Sequence, residues 1–178
     1  DLYAAPKKAN ELIAHSYSSL YELPITALRF FTVYGPYGRP DMAYFKFTKS
    51  IIDGNVIDIY NNGKMRRDFT YVDDIVWGIF NLINKPPKKK KSYDSNFDVP
   101  FRVLNIGNNN PVSLAHFVKS IEISCSKKAK KNYLPMQLGD VKTTFADINK
   151  INRLINFEPK TSIEVGIENF VKWYKTYY

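Results

Sequence analysis

Residues 25–35, ITALRFFTVYG, set the architecture of the whole chain. The run is nearly continuous in apolar, aromatic and β-branched side chains. A strand with one wet face would alternate, so this one reads as buried on both faces in a parallel sheet. Gly35-Pro36 ends it. A parallel neighbour is reached through a long crossover, usually a helix, and helical patterns lie on both sides. Upstream, 7–22 (KKANELIAHSYSSLYE) places Ala9, Leu12, Ile13, Tyr17, Leu20 and Tyr21 at helical spacing, and Pro24 stops the helix. Downstream, the turn-rich loop YGPYGRPD leads to a helix expected over about 42–52, with Asp41 as its cap. Residues 55–72 alternate like two short strands around the Asn61-Asn62-Gly63 turn. The segment DDIVWGIFNLIN is helical, and Asp73 and Asp74 belong to its first turn, where capping and the helix dipole favour carboxylates.

The second half continues the alternation. Residues 85–100, KPPKKKKSYDSNFDVP, are polar and proline-bounded and read as an exposed insertion loop. RVLNIG is a short apolar strand, and Ser113 opens a helix to about Cys125. A strand near NYLPM, a short helix after Asp147 and a final helix SIEVGIENFVKWYKTYY complete the chain. Strands and helices alternate without internal repeats, which is an α/β pattern.

With 178 residues, 44% hydrophobic and 15% aromatic, the chain can fill a core and is not a disordered tail. Cys125 is the single cysteine, so no internal disulfide forms, and a reducing, cytoplasmic setting is expected. No apolar run reaches membrane-spanning length. The net charge of +9 is concentrated in Lys88–Lys91 and in Lys127, Lys128, Lys130 and Lys131, runs that flank breaks between periodic segments and read as solvated loops. They argue against a nucleic-acid face, and neither a nucleic-acid nor a membrane partner is expected. An anionic small molecule would benefit from the same field.

Tyr3 and Lys7 stand four residues apart, so on a helix their polar tips converge. A tyrosine with a pKa near 10 is a poor base at neutral pH, but an adjacent ammonium stabilises its phenolate. The same spacing also arises by accident in a chain this rich in tyrosine and lysine. His15 and His116 lie in helical patterns without neighbours at metal-ligand spacing, so no metal site is expected. Cys125 reads as a packing residue.

The ordered set YAAPKKANELIAHSYSSLYELPITALRFFTVYGPYGRPDMAYFKFTKSIIDG, IDIYNNGKMRRDFTYVDDIVWGI, RVLNIGNNNPVSL, LPMQLGDVKTTFAD and NFVKWY resembles the extended short-chain dehydrogenase/reductase family, and within it the UDP-glucuronate 4-epimerases. The resemblance implies the late strands and helices of a Rossmann-like parallel sheet plus a small C-terminal substrate-binding domain. Residues 1–40 and about 66–108 would contribute to the first part, and about 41–65 and 109–178 mainly to the second. In the family the Tyr-x-x-x-Lys signature follows a Gly-rich dinucleotide-binding unit. No such loop occurs here, so the chain looks like the C-terminal half of an epimerase, and it is expected to be inactive by itself.

Position by position, the resemblance makes Tyr3 the acid/base and Lys7 its tuning residue and a ligand of the nicotinamide ribose, so that both bind cofactor. It places Phe31 beside the nicotinamide. Thr32 and Arg39 would face the uronate carboxylate, which suits a hydroxyl and a guanidinium fork. Tyr60 would bracket uracil, Arg67 would bind the diphosphate and Asp140 the ribose hydroxyls. Simple strand packing, an edge aromatic, a solvated ion pair and a turn residue are the alternative readings of Phe31 and Thr32, Tyr60, Arg67 and Asp140 respectively.

Two positions depart from the family pattern. Pro6 replaces the usual Ser or Thr between Tyr and Lys, and Gln137 stands where related epimerases often carry a second phosphate-binding arginine. The implied cofactor is NAD, held in the intact enzyme and not expected on this chain alone. A UDP-sugar substrate is implied, with either a homodimer or a separate N-terminal NAD-binding chain as partner. The implied reaction is epimerisation of UDP-glucuronate at C4 through transient oxidation. A nucleotide-sugar 4,6-dehydratase of the same fold and a non-catalytic remnant remain as alternatives.

Overall fold

Ala4–Tyr21 form α1, in accord with the apolar spacing of 7–22. The computed structural model describes residues 4–92, 95–137 and 139–178, with backbone alone for 90–92 and 95–98. The run at 25–35 becomes two strands, β1 (Ile25–Phe30) and β2 (Thr32–Tyr34), because the chain changes partner at Phe31. β1 pairs in parallel with β8 (Phe101–Ile106) from Ile25↔Phe101 to Phe30↔Ile106. β2 pairs in parallel with β5 (Phe69–Tyr71). The Phe31 N–H still donates to the Ile106 carbonyl at 3.2 Å, while the Thr32 N–H donates to the Asp68 carbonyl at 3.1 Å. The parallel sheet and its α/β setting are as the sequence implied.

The β1–β8 pair carries helices on both faces, but the burial on both faces expected of 25–35 is not met along β1, where Ile25–Leu28 are half-buried and Arg29 and Phe30 exposed. Period-two alternation sends Leu28, Leu104 and Ile106 one way, into a cluster with Ile75, Leu82, Ile151 and Phe157. The helices there are α3 (Val72–Ile83) and α5 (Asn149–Ile155). Gly78 permits this contact: a Cβ there would lie 2.8 Å from Ile106 Cδ1 and 2.9 Å from Phe157 Cε2. On the opposite face α1 is clipped to β1 by Glu11 and Arg29, with contacts of 2.5 and 2.7 Å.

A second core gathers α2 (Ala43–Asp53), β3 (Val56–Tyr60), α4 (Leu114–Cys125) and α6 (Ile163–Tyr177) around Tyr34 and β5. Phe69 and Phe117 stack at 4.2 Å between ring centres, and Tyr44 meets Phe170 edge-on at 4.8 Å. The N-caps of α4 and α6 are Ser113, which accepts from the His116 N–H, and Ser162, which accepts from the Val165 N–H. Ser113 thus opens its helix as expected.

Four local expectations are corrected. Asp41 does not cap α2: the N-cap is Met42, without a side-chain bond, and Asp41 pairs with Arg39 at 3.3 Å. Residues 55–72 contain the turn at 61–63, but the strands around it do not pair with each other. β3 lies parallel to β10 (Lys130–Leu134), and β4 (Arg66–Arg67) lies antiparallel to β9 (Val112–Ser113). The long-range partners bury Ile57 and Ile59, which a local hairpin would leave wet. Asp74 stands in the first turn of α3 but does not cap it; it accepts the N–H groups of Lys160 and Thr161 at 3.2 and 3.1 Å, tethering the approach to α6. The 85–100 segment is not all loop, since β6 (Lys90–Ser92) and β7 (Ser95–Val99) form an antiparallel pair and Val99 is buried.

Candidate active site

A crevice runs along β1 from Ile25 and past the partner switch at Phe31 to Val33, so it takes in the carboxyl end of the strand, where α/β sheets bind ligands. Its volume is about 1350 Å³. Lys7, Asn10, Glu11 and Ala14 line one wall, four positions that share a helix face by the i, i+3, i+4, i+7 rule. Phe31 and Thr32 form the floor, and the 35–42 loop with Arg39 and Met42 forms the far wall, joined by Asn105 and Thr144. Lys7, Phe31, Thr32 and Arg39, which lie in three separate stretches of sequence, therefore share one cleft. Tyr3 lies outside the described residues. Pro6 is the third residue of the described helix and is exposed.

The loop that carries Arg39 is shaped by its backbone. Gly35 has φ 144° and Tyr37 has φ 60°, a left-handed value uncommon for a residue with a bulky side chain. Gly38 is required by proximity: a Cβ there would overlap the Tyr44 hydroxyl at 1.6 Å. Tyr37 rests on Trp173 at 5.1 Å and near Tyr177 at 6.3 Å, so the loop leans on α6. Arg39 is largely exposed, with Asp41 beside it, and its guanidinium remains within reach of an anion in the cleft.

Arg67 and Asp140 are not part of the cleft lining but hold each other, Nη2 to Oδ1 at 2.6 Å, in a partly buried pair. They connect to the cleft through Thr144. The Thr144 N–H donates to the Arg66 carbonyl at 3.2 Å, and the Arg66 N–H donates to the Lys142 carbonyl at 2.9 Å. The 140–146 segment thus runs beside 66–68. Tyr60 stands at the end of β3, in register with Leu134, away from the cleft lining. Gln137 is exposed, and its carbonyl accepts the Asp140 N–H at 3.3 Å.

Sequence reasoning missed three contributors. Thr144 reaches the cleft wall from 76 residues beyond Asp68, to which its hydroxyl is bonded, and nothing in TTF marks it. Glu11 and Arg29 buttress the wall that carries Lys7. The Arg29 and Lys8 hydrogen bonds hold the Glu11 carboxyl down at about 2, and Arg29 is raised in turn by Glu11. An acidic residue one turn after Lys7, on the same face, was the available signal.

Residues 1–107 match the profile of the family described as NAD dependent epimerase/dehydratase. Protein CapI of Staphylococcus aureus is 54% identical over 99% of this chain and 55% of its own length. A protein described as a probable UDP-glucuronate 4-epimerase of Rhizobium meliloti is 49% identical over 99% of the chain and 54% of its own. The chain spans about half the length of the curated relatives it matches. In three dimensions it resembles UDP-glucuronic acid 4-epimerase from Bacillus cereus, solved in complex with UDP-glucuronic acid and NAD. The TM-score is 0.84 and the identity 32%, over 99% of this chain and 53% of that one. The parallel β1–β8 pair flanked by helices, the crevice along β1 and these matches agree, and the chain belongs to the NAD dependent epimerase/dehydratase family.

Proposed function

We propose that the chain is the sugar-nucleotide-holding part of an NAD-dependent UDP-glucuronate 4-epimerase, whose product is UDP-galacturonate. The observation that carries the reading is the convergence of Lys7, Phe31, Thr32 and Arg39 on one cleft. It is supported by relatives described as UDP-glucuronate 4-epimerases at 49% and 46% identity. The cleft chemistry fits the nicotinamide end of the cofactor. Lys7 supplies an ammonium for ribose hydroxyls and Phe31 an apolar wall. NAD held there would supply the hydride acceptor and donor for the sugar ring.

The chain's own residues do the rest. Tyr3, four residues before Lys7 in sequence, moves the proton at the sugar's O4, and the Lys7 ammonium stabilises the phenolate. The Thr32 hydroxyl and the Arg39 guanidinium hold the uronate carboxylate, which fixes the sugar ring for attack at C4. Arg67 binds the diphosphate, Asp140 the ribose hydroxyls and Tyr60 the uracil edge.

Calorimetric titration tests the reading. The chain is expected to bind UDP-glucuronate more tightly than UDP-glucose, and Arg39→Ala should erase that preference, about tenfold for one charge-assisted contact, while leaving UDP affinity unchanged. Absence of UDP binding, or equal affinity for both sugars in the wild type, overturns it.

A further inference from the structure

Asp68 is fully buried, at 0% exposure, in the midst of the candidate machinery. Its Oδ1 accepts the Asn108 N–H at 2.7 Å, and its Oδ2 accepts the N–H groups of Asn109 at 3.0 Å and Ala146 at 2.8 Å. Its own N–H donates to Thr144 Oγ1 at 3.0 Å, and its carbonyl accepts the Thr32 N–H at 3.1 Å. One residue therefore joins β2, the turn after β8 and the 144–146 segment. Burying a carboxylate is costly unless its oxygens are filled, and here three backbone donors fill them. Strand alternation turns the neighbouring Arg67 to the other side, where it meets Asp140. The register that sets Arg67 opposite Asp140 is thus fixed by bonds at 66 and 68.

We propose that Asp68 is a positioning residue for nucleotide-sugar binding, acting through Arg67 by locking the 140–146 segment against β4 and the start of β2. The proposal rests on the sugar-nucleotide reading above and adds to it a residue that touches no substrate. A carboxylate is needed rather than its amide, because an amide at this position would turn an NH₂ towards one or two of the three N–H groups.

The test is a double-mutant cycle on UDP affinity in the 178-residue chain, with Arg67→Ala and Asp68→Asn. Asp68→Asn is expected to weaken UDP about tenfold in the wild-type background and less than about twofold when Arg67 has already been replaced by alanine. Equal losses in both backgrounds indicate general damage and overturn the proposal. Should Asp68→Asn fail to fold, Thr144→Val is expected to lose about fivefold in UDP affinity and Thr144→Ser to retain it. Equal loss in the two overturns the proposal.

Hydrogen exchange in Asp68→Asn, or in Thr144→Val if the first is unfolded, separates this idea from the substrate reading. Protection is expected to fall at 66–68 and 144–146 while α6 remains protected. Unchanged protection overturns the proposal whether or not UDP binds, whereas failure of the wild-type chain to bind UDP overturns the substrate reading and leaves exchange to decide the role of Asp68.

Discussion

Arg67 and Asp140 show, at the scale of a single side chain, how two opposite charges are held together under partial burial. Each neutralises the other at 2.6 Å, with side chains 20% and 34% exposed, so neither has to be held as an isolated charge under partial burial. A diphosphate carries more charge than one carboxylate and can share or displace Asp140 from the guanidinium. In the proposed role, Arg67→Ala should weaken UDP by about ten- to a hundredfold, and Arg67→Lys should recover only part of this because a point charge cannot grip two phosphates at once. Asp140→Asn should strengthen binding of inorganic pyrophosphate, which has no ribose, by about threefold by removing the competing carboxylate. A pyrophosphate titration that leaves Asp140→Asn level with wild type would show that the pair is not in competition with the ligand.

At the scale of elements, α1 and β1 form the wall that presents Lys7, and their clip titrates. Glu11 is held at about 2 in the fold, by Arg29 first and Lys8 second, against the usual 4.5. A carboxyl depressed by folding binds fewer protons in the native state than in the unfolded chain. Its contribution to stability is therefore complete above pH 4.5 and is lost as the pH falls towards 2. Urea unfolding at about pH 5 and at about pH 2.5 should show a larger fall in midpoint for the wild type than for Glu11→Gln, in which this group no longer titrates. An equal fall in both would place the acid sensitivity elsewhere.

Elements also show what could be read in advance. α1, α4 and α6 emerge from apolar spacing, a proline stop and serine caps, all local signals. The break of 25–35 into β1 and β2 is not local, since it follows from partners at 101–106 and 69–71. The same holds for 55–72, where alternation correctly marked strand-forming residues while parallel pairing with 130–134 decided their neighbours. In the cleft, Lys7, Phe31, Thr32 and Arg39 were legible because they fall in motif-bearing stretches. Thr144 and Asp68 were not, because their importance consists of hydrogen bonds that span 40 to 78 residues of sequence.

At the scale of the whole molecule, the two cores leave a broad apolar surface on α1. Leu12, Ile13, Tyr17, Leu20 and Tyr21 are each more than half exposed, with Leu20 at 74%. They come from the apolar spacing that defined the helix in sequence, yet the less exposed face is formed by Glu11, Ala14, His15 and the buried Ser18. Isolated exposed apolar residues are ordinary, but five along one helix form a patch of the size that association buries. We expect a second copy of the chain to cover it, with the two α1 helices packed together. Sedimentation velocity should show a dimer at micromolar concentration, and Leu20→Glu combined with Tyr17→Glu should give a monomer whose melting temperature no longer depends on concentration. Because Leu20 and Tyr17 lie outside the cleft lining, UDP affinity should survive in that monomer; a wild-type chain that sediments as a monomer at every concentration would remove the helix pairing altogether.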